Sequence, residues 1–326
     1  SSIESAYEDT RNEHGEALSI AARNENNGLQ AISFGVHIEP EEHMEPVVIF
    51  NPHSWPVTEY VEIETGTFPN RCPADSYVVK DSLGNPVPSQ PVASEAMALG
   101  RKRIVFPAKV PALGYATYRL YGAEKPETEK AADTPAQGTP ADCLILENHK
   151  LKVVFDAATG GISTLRYKES EVEFCGDILG KTAVMLDNSD TWSHDIFEFH
   201  DLEGYFTPIS IKKTEDGPVR SSIRIISKYR SSTLIQVYTL YCNEAQLRVS
   251  AKINWQEHFR CVKLQFPVRL KEYRGTYEIP FGAIEKDCNG LEEPMQRWID
   301  LTGTQEDSTK LCGLAILNDG KYSASM

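Results

Sequence analysis

The chain has little that would draw a polyanion and nothing long enough to cross a bilayer. Its 33 basic residues are outnumbered by 47 acidic ones, a net charge of -14. That surplus repels phosphate backbones and anionic lipid surfaces, so neither nucleic acid nor membrane is expected as a partner. No run reaches the roughly 18 apolar residues a spanning helix needs. The first residues, Ser1-Ser2-Ile3-Glu4-Ser5, carry neither the basic nor the apolar part of a secretion signal. Cysteine is sparse and scattered: Cys72, Cys143, Cys175, Cys242, Cys261, Cys288 and Cys312 are odd in number and include no C-x-x-C pair. The pattern fits reduced thiols of a cytoplasmic protein better than a disulfide framework or a thiolate zinc site. Also missing are a G-x-S-x-G elbow and an H-x-x-x-H or H-E-x-x-H helix. A glycine-rich phosphate cradle is absent too, since Thr159-Gly160-Gly161 fits a hairpin turn.

What is present is an ordinary globular composition, 40% apolar and 25% charged over 326 residues, enough for two or three domains at about 100 to 200 residues each. Residues 1 to 35 alternate charged Glu8, Arg11, Glu13, His14, Glu16, Arg23 and Glu25 with Ala6, Ala17, Leu18, Ile20, Ala21 and Ala22. The spacing predicts an amphipathic helix stopping near Asn27-Gly28. Over 36 to 122 the period changes to two: Val57 to Ile63, Tyr77 to Val79, Ile104 to Phe106 and Tyr115 to Leu120 are predicted strands of a small sandwich, broken at Gly84-Asn85-Pro86 and Leu113-Gly114. Residues 123 to 141 are rich in Pro, Glu, Thr, Ala and Lys, the composition of a linker. From 142 to 326 strands recur, among them Leu151 to Phe155, Ser222 to Ile226, Thr233 to Tyr241, Leu247 to Ile253 and Cys261 to Pro267. Many strands without a long helix imply an all-β fold with a second, larger sandwich.

Several segments carry a family resemblance. They are Val47-Val48-Ile49-Phe50-Asn51-Pro52-His53-Ser54-Trp55, Leu146 to Asp156 with Thr159-Gly160-Gly161-Ile162, Asp216-Gly217-Pro218-Val219-Arg220, Ile253-Asn254-Trp255-Gln256-Glu257, Tyr277-Glu278-Ile279-Pro280-Phe281-Gly282-Ala283-Ile284-Glu285, and Glu293-Pro294-Met295-Gln296-Arg297-Trp298-Ile299-Asp300. In this order they resemble the C-terminal β-rich region of glycoside hydrolase family 38, the retaining α-mannosidases. The resemblance implies a galactose-mutarotase-like supersandwich for 142 to 326, and a helical remnant of a preceding bundle at residues 1 to 35. It implies a sheet left short of strands at Met326. It also implies that the aspartate nucleophile and most or all of the His and Asp ligands of a zinc-type divalent metal belong to an N-terminal α/β domain with no counterpart here. A mannose-containing oligosaccharide and that missing domain are then the expected partners, and no cofactor is expected in this chain. The fragment alone is expected to be inactive. An autonomous carbohydrate-binding module and a mutarotase-type epimerase are the alternatives.

The candidate site residues fall in two places. In Asp187-Asn188-Ser189-Asp190-Thr191-Trp192-Ser193-His194-Asp195, Trp192 offers a flat apolar face for a sugar ring, and Asp190, His194 and Asp195 offer hydrogen bonds to hydroxyls. Related enzymes commonly end this loop Trp-Asp-Ala-Trp, and Ser193-His194 departs from that form. The competing reading makes the acids turn caps and Trp192 a seal on the sandwich. Near the second motif, Glu285, Glu292 and Glu293 are carboxylates that could reach a sugar groove. The competing role ends a strand at Glu293-Pro294 and gives Arg297 an ion pair that fixes the loop. His194 and His200, with Asp195 and Asp201, would share one side of a strand and could meet at a metal, although Phe197 and Phe199 suit ordinary strand alternation.

Overall fold

A computed structural model of the chain describes residues 2–65, 76–94, 102–123, 144–190, 192 and 194–326. It divides into two units, Ser1–Asp133 and Thr134–Met326. The linker expected over 123 to 141 lies, beyond Ala123, outside the described residues, as do Cys72, Cys143, Thr191 and Ser193.

The first unit opens with α1 (Ser2–Phe34), a helix longer than the short one expected. It runs through Gly28 instead of stopping there. A helical glycine costs about 1 kcal/mol relative to alanine, and a ladder of 33 residues absorbs that. The end comes at Phe34, where the Gly35 N–H donates to Ile32 O at 2.9 Å and Val36 N–H to Ser33 O at 3.1 Å, tightening the last turn. Along it Tyr7, Leu18, Ile20 and Ile32 are exposed.

Among the described residues seven strands follow: β1 (Met44–Asn51), β2 (Val57–Thr65), β3 (Ser76–Asp81), β4 (Pro86–Val87), β5 (Gln90–Val92), β6 (Lys102–Val110) and β7 (Gly114–Ala123). They make two sheets, ordered β1-β7-β3-β4 and β2-β6-β5. Alternate residues Ile104, Phe106, Ala108 and Val110 of β6 meet Val79, Tyr118 and Leu120 of the other sheet in one buried cluster, which is what makes the pair a sandwich. Phe106 and Tyr118 pack with ring centroids 5.2 Å apart. The Tyr118 hydroxyl is satisfied twice at Lys109, accepting its N–H and donating to its carbonyl.

The second unit begins with β8 (Ile145–Glu147), β9 (Leu151–Phe155), β10 (Ile162–Tyr167), β11 (Val172–Glu173), β12 (Lys181–Leu186) and β13 (Leu202–Tyr205). Then come β14 (Thr207–Asp216), β15 (Arg220–Tyr229), β16 (Ser232–Tyr241), β17 (Leu247–Asn254) and β18 (Arg260–Gln265). Last are β19 (Leu270–Ile279), β20 (Gly282–Lys286), β21 (Glu292–Pro294), β22 (Trp298–Gln305), β23 (Leu311–Leu317) and β24 (Ser323–Ser325). The sheets are ordered β11-β10-β9-β8, β13-β12-β18, β14-β15-β16-β17, β20-β19-β22-β23 and β21-β24.

The main core joins the first of these to the third. Leu151, Val153 and Phe155 of β9 and Ile162 and Leu165 of β10 pack on Ile223 and Ile225 of β15 and Tyr238 and Leu240 of β16. Phe155 meets Tyr238 edge-on at 4.8 Å. Strand β16 alternates buried and half-buried residues, in keeping with its apolar sequence and its central place between β15 and β17. Gln236, buried on the same face, donates to the Tyr238 hydroxyl at 3.0 Å, so neither polar group is stranded. A smaller core of Val184, Phe206 and Leu234 with Trp255 underlies β12 and β18. The described residues are all-β apart from the N-terminal helix, as the period-two sequence implies.

Candidate functional site

The Asp190 cluster sits on the connection between β12 and β13, whose base is closed by Leu186 N–H to Asp201 O at 2.8 Å and Asp187 N–H to Phe259 O at 2.9 Å. Asp190 organises the tip: its Oδ1 accepts the backbone N–H groups of Trp192 at 2.9 Å and His194 at 3.3 Å, and its Oδ2 meets the His194 ring Nδ1 at 2.7 Å. Asp195 continues at φ 58°. The turn holds Asp190 and His194 together and leaves Trp192 78% exposed. Trp192 is therefore not a seal on the sandwich, as the competing reading had it. Asp195 is exposed as well.

The strand expected through His194 to His200 does not form. Residues 196–201 are irregular and β13 starts only at Leu202; the Asp190 turn and the positive φ at Asp195 break the extended backbone that alternation at Phe197 and Phe199 suggested. The His200 ring lies between Glu198 at 3.4 Å and Asp201 at 3.3 Å, carboxylates other than the one that holds His194. Among the described residues no group of three or more His, Cys, Asp or Glu side chains is placed to hold a metal ion. These residues do not fit the zinc-type ion that the family resemblance implies.

The second candidate region is linked to the first through the backbone, since Glu292 N–H donates to Phe197 O at 2.8 Å. Strand β21 pairs Glu292 with Ser325 and Glu293 with Ala324 of β24. Successive strand residues point to opposite faces, and each acid meets its own lysine. Glu292 is bound to Lys263, which also donates to Ser325 Oγ at 3.0 Å. Glu293 is bound to Lys286 at 2.7 Å, and the Lys286 ammonium lies 5.0 Å from the centroid of the Tyr277 ring. Pointing to opposite faces of one strand, the two acids do not oppose each other across a groove as the carboxyl pair of a retaining site does. Glu285 is exposed, with Arg274 at 3.8 Å. Burial, with Cys288, Glu293 and Glu292 nearby, pushes the Tyr277 phenol up to about 12.

Arg297 does not make the ion pair expected of it. Among the described residues its guanidinium has no acidic partner. Its backbone does the fixing instead: its N–H donates to Glu278 Oε2 at 2.6 Å, and its carbonyl accepts the Asn318 N–H at 2.7 Å.

One feature of this region escaped the sequence reading. In the hairpin of β19 and β20, Ile279 pairs with Gly282, so Pro280 and Phe281 alone make the turn. Phe281 takes φ 65°, a position usually given to glycine, and is fully exposed. The signal was there in Pro-Phe followed by Gly, with the glycine one position too late to relieve the turn.

A cleft of about 220 Å³ is lined by Glu147, Asn148, His149, Arg220, Ser221 and Cys242 among others. Its ionisable groups are engaged: Glu147 with Lys168 at 2.7 Å, His149 Nδ1 with Cys242 O at 2.9 Å, and Arg220 with Glu215 and the Tyr241 hydroxyl.

The architecture thus defines an all-β chain of two units, with exposed aromatic residues at loop tips and no assembled reaction centre among the described residues. Residues 146–326 match the Glycosyl hydrolases family 38 C-terminal domain, and the chain belongs to that family. It is 28% identical over 236 residues to human Alpha-mannosidase 2C1, covering 67% of this chain and 22% of the relative. It is 24% identical over 206 residues to Alpha-mannosidase G of Dictyostelium discoideum, covering 56% and 18%. The chain spans about a fifth of the length of these curated relatives. Among solved structures, an α-mannosidase from Enterococcus faecalis V583 superposes with TM-score 0.56 at 14% identity, covering 88% of this chain and 41% of the other. A second family 38 protein from Enterococcus faecalis gives TM-score 0.57 at 15% identity, covering 87% and 42%. At those identities the likeness is one of fold.

Proposed function

We propose that the chain is the C-terminal β region of a retaining α-mannosidase that hydrolyses α-mannosidic bonds in oligosaccharides in the cytoplasm. In this reading the nucleophile and the divalent metal belong to a catalytic domain outside these residues. The chain supports that domain and supplies one wall of the substrate groove. The match of residues 146–326 to the family's C-terminal domain carries the proposal.

Within the groove wall, Trp192 stacks on a sugar face while Asp190 holds His194 in place and Asp195 reaches a hydroxyl. Glu293 and Arg297 act indirectly, through the fold of the β21 region. The test is an assay of this chain alone on an aryl α-mannoside with a divalent metal present. No turnover is expected, and turnover overturns the reading. The exposed Trp192 also favours a second reading, an autonomous carbohydrate-binding module. Calorimetry of this chain alone with mannosides separates the two: a module that is complete in itself gives heat that Trp192→Ala abolishes, whereas a groove wall that needs its opposite wall gives none.

A further inference from the structure

We propose that the tip of the small sandwich is a second glycan-contact site, where the open face of Trp55, backed by the stacked His53 ring, is the platform for one pyranose ring of an uncharged, mannose-containing oligosaccharide. The proposal rests on the α-mannosidase reading for the identity of the sugar and on the local geometry for the site itself.

The platform is built, and its construction leaves the rings free. Asn51, 3% exposed at the end of β1, donates through its Nδ2 to the carbonyls of Trp55 at 2.8 Å, Pro111 at 2.9 Å and Val110 at 3.4 Å. Its Oδ1 accepts the His53 N–H at 2.9 Å, and His53 O accepts the Leu113 N–H at 2.8 Å. At positions 53 and 55 the loop is thus fixed through backbone atoms. The side chains have no part in that anchoring, yet they are held flat: the His53 and Trp55 rings stack at 4.8 Å with planes 15° apart. Trp55 remains 58% exposed. Leu113, at φ 45°, adjoins His53 through its N–H, and Tyr115, 44% exposed near the start of β7, packs 6.0 Å from Phe50.

Charge decides the occupant. Residues 50 to 57 and 110 to 117 contain no Asp, Glu, Lys or Arg, in a chain that carries 33 basic and 47 acidic residues. A charged peptide or nucleic acid finds no counter-ion there. A pyranose needs none: its axial C–H groups pack on an indole face, and its hydroxyls stay paired with water or with polar groups nearby. A single stacking platform of this size implies weak, roughly millimolar binding.

The experiment is a titration of this chain with an α-linked oligomannoside, following the indole N–H resonances of Trp55, Trp192, Trp255 and Trp298 by NMR. The Trp55 resonance is expected to move. Trp55→Ala should weaken that binding at least about fivefold, Trp55→Phe should retain most of it, and Trp192→Ala should leave it in place. A silent Trp55 resonance, or a shift confined to Trp192, overturns the platform and leaves the mannosidase reading standing. A Trp55 shift with a β-linked glucan but none with the mannoside overturns the mannoside assignment, and the mannosidase reading, which is tested by turnover, stands apart from that outcome. A Trp55 shift that tracks protein concentration without sugar assigns the patch to self-association and overturns the proposal.

Discussion

Glu292 donates its backbone N–H to the carbonyl of Phe197 at 2.8 Å, and the Asp190 connection is thereby tied to β21. The side chain of Glu292 reinforces the join. It binds Lys263 and accepts the Ser323 hydroxyl at 3.1 Å, with 18% of its own surface and 23% of that of Lys263 exposed. Two regions far apart in sequence are thus one piece of surface.

Lys263→Met should therefore loosen the connection as well as lower stability. Removing one member of a mostly covered pair leaves the other short of a partner, at a cost of about 1 to 2 kcal/mol. Urea denaturation measures the loss, and amide exchange should quicken over 187–201. Unchanged exchange there would show that the backbone bond holds the connection unaided.

Gly161→Ala should cost more. A Cβ on Gly161 would meet Ile178 Cγ2 at 2.3 Å and Leu179 O at 2.8 Å, and the carbonyl is locked in a bridge, Ile162 N–H to Leu179 O at 2.8 Å. Overpacking against backbone destabilises by about 2 to 4 kcal/mol. Gly15→Ala in α1 is the control, with nothing within 4 Å of its Cβ and about 1 kcal/mol of helix propensity to gain. Thermal unfolding of the two variants should move in opposite directions.

The sequence announced its strands where burial is one-sided, because alternation at Leu151, Val153 and Phe155 is imposed by a core on one face. Short punctuators were legible too, with Gly84 and Leu113 both at positive φ. What it concealed were outcomes settled by distant partners. Lys263 sits 29 residues from Glu292, and no local pattern marks that pairing or the absence of one at Arg297. The helix end was misplaced because a glycine weakens a helix without forbidding it. In the site, Trp192 was legible as a residue type, but its exposure depends on an Asp190 turn that competes with strand alternation.

Phe281→Gly should stabilise the chain. The ring is fully exposed, so its loss removes no buried contact, and glycine takes φ 65° without the steric cost a Cβ brings. Part of that gain is offset by the greater freedom of glycine in the unfolded chain. A net gain of about 0.5 to 1 kcal/mol is expected in chemical denaturation. A loss of stability instead would mean that the ring packs against something at the hairpin tip.

The thiols give the pH prediction. Burial first, and Glu173 second, push the Cys175 thiol from 9.0 up to about 12; Cys261, Cys288 and Cys312 are raised as well, burial again leading. A group whose folded pKa lies above its unfolded value adds stability that is complete below the unfolded pKa and fades as pH climbs through the folded one. The chain should thus hold its stability up to about pH 9 and lose it progressively above. Because the thiolate is the nucleophile, an aromatic disulfide at mildly alkaline pH should label these four cysteines slowly in the native chain and fully in denaturant. Cys175→Ala should flatten the alkaline fall in the urea midpoint. A fall as steep as in the parent would mean that Cys175 is not the group responsible.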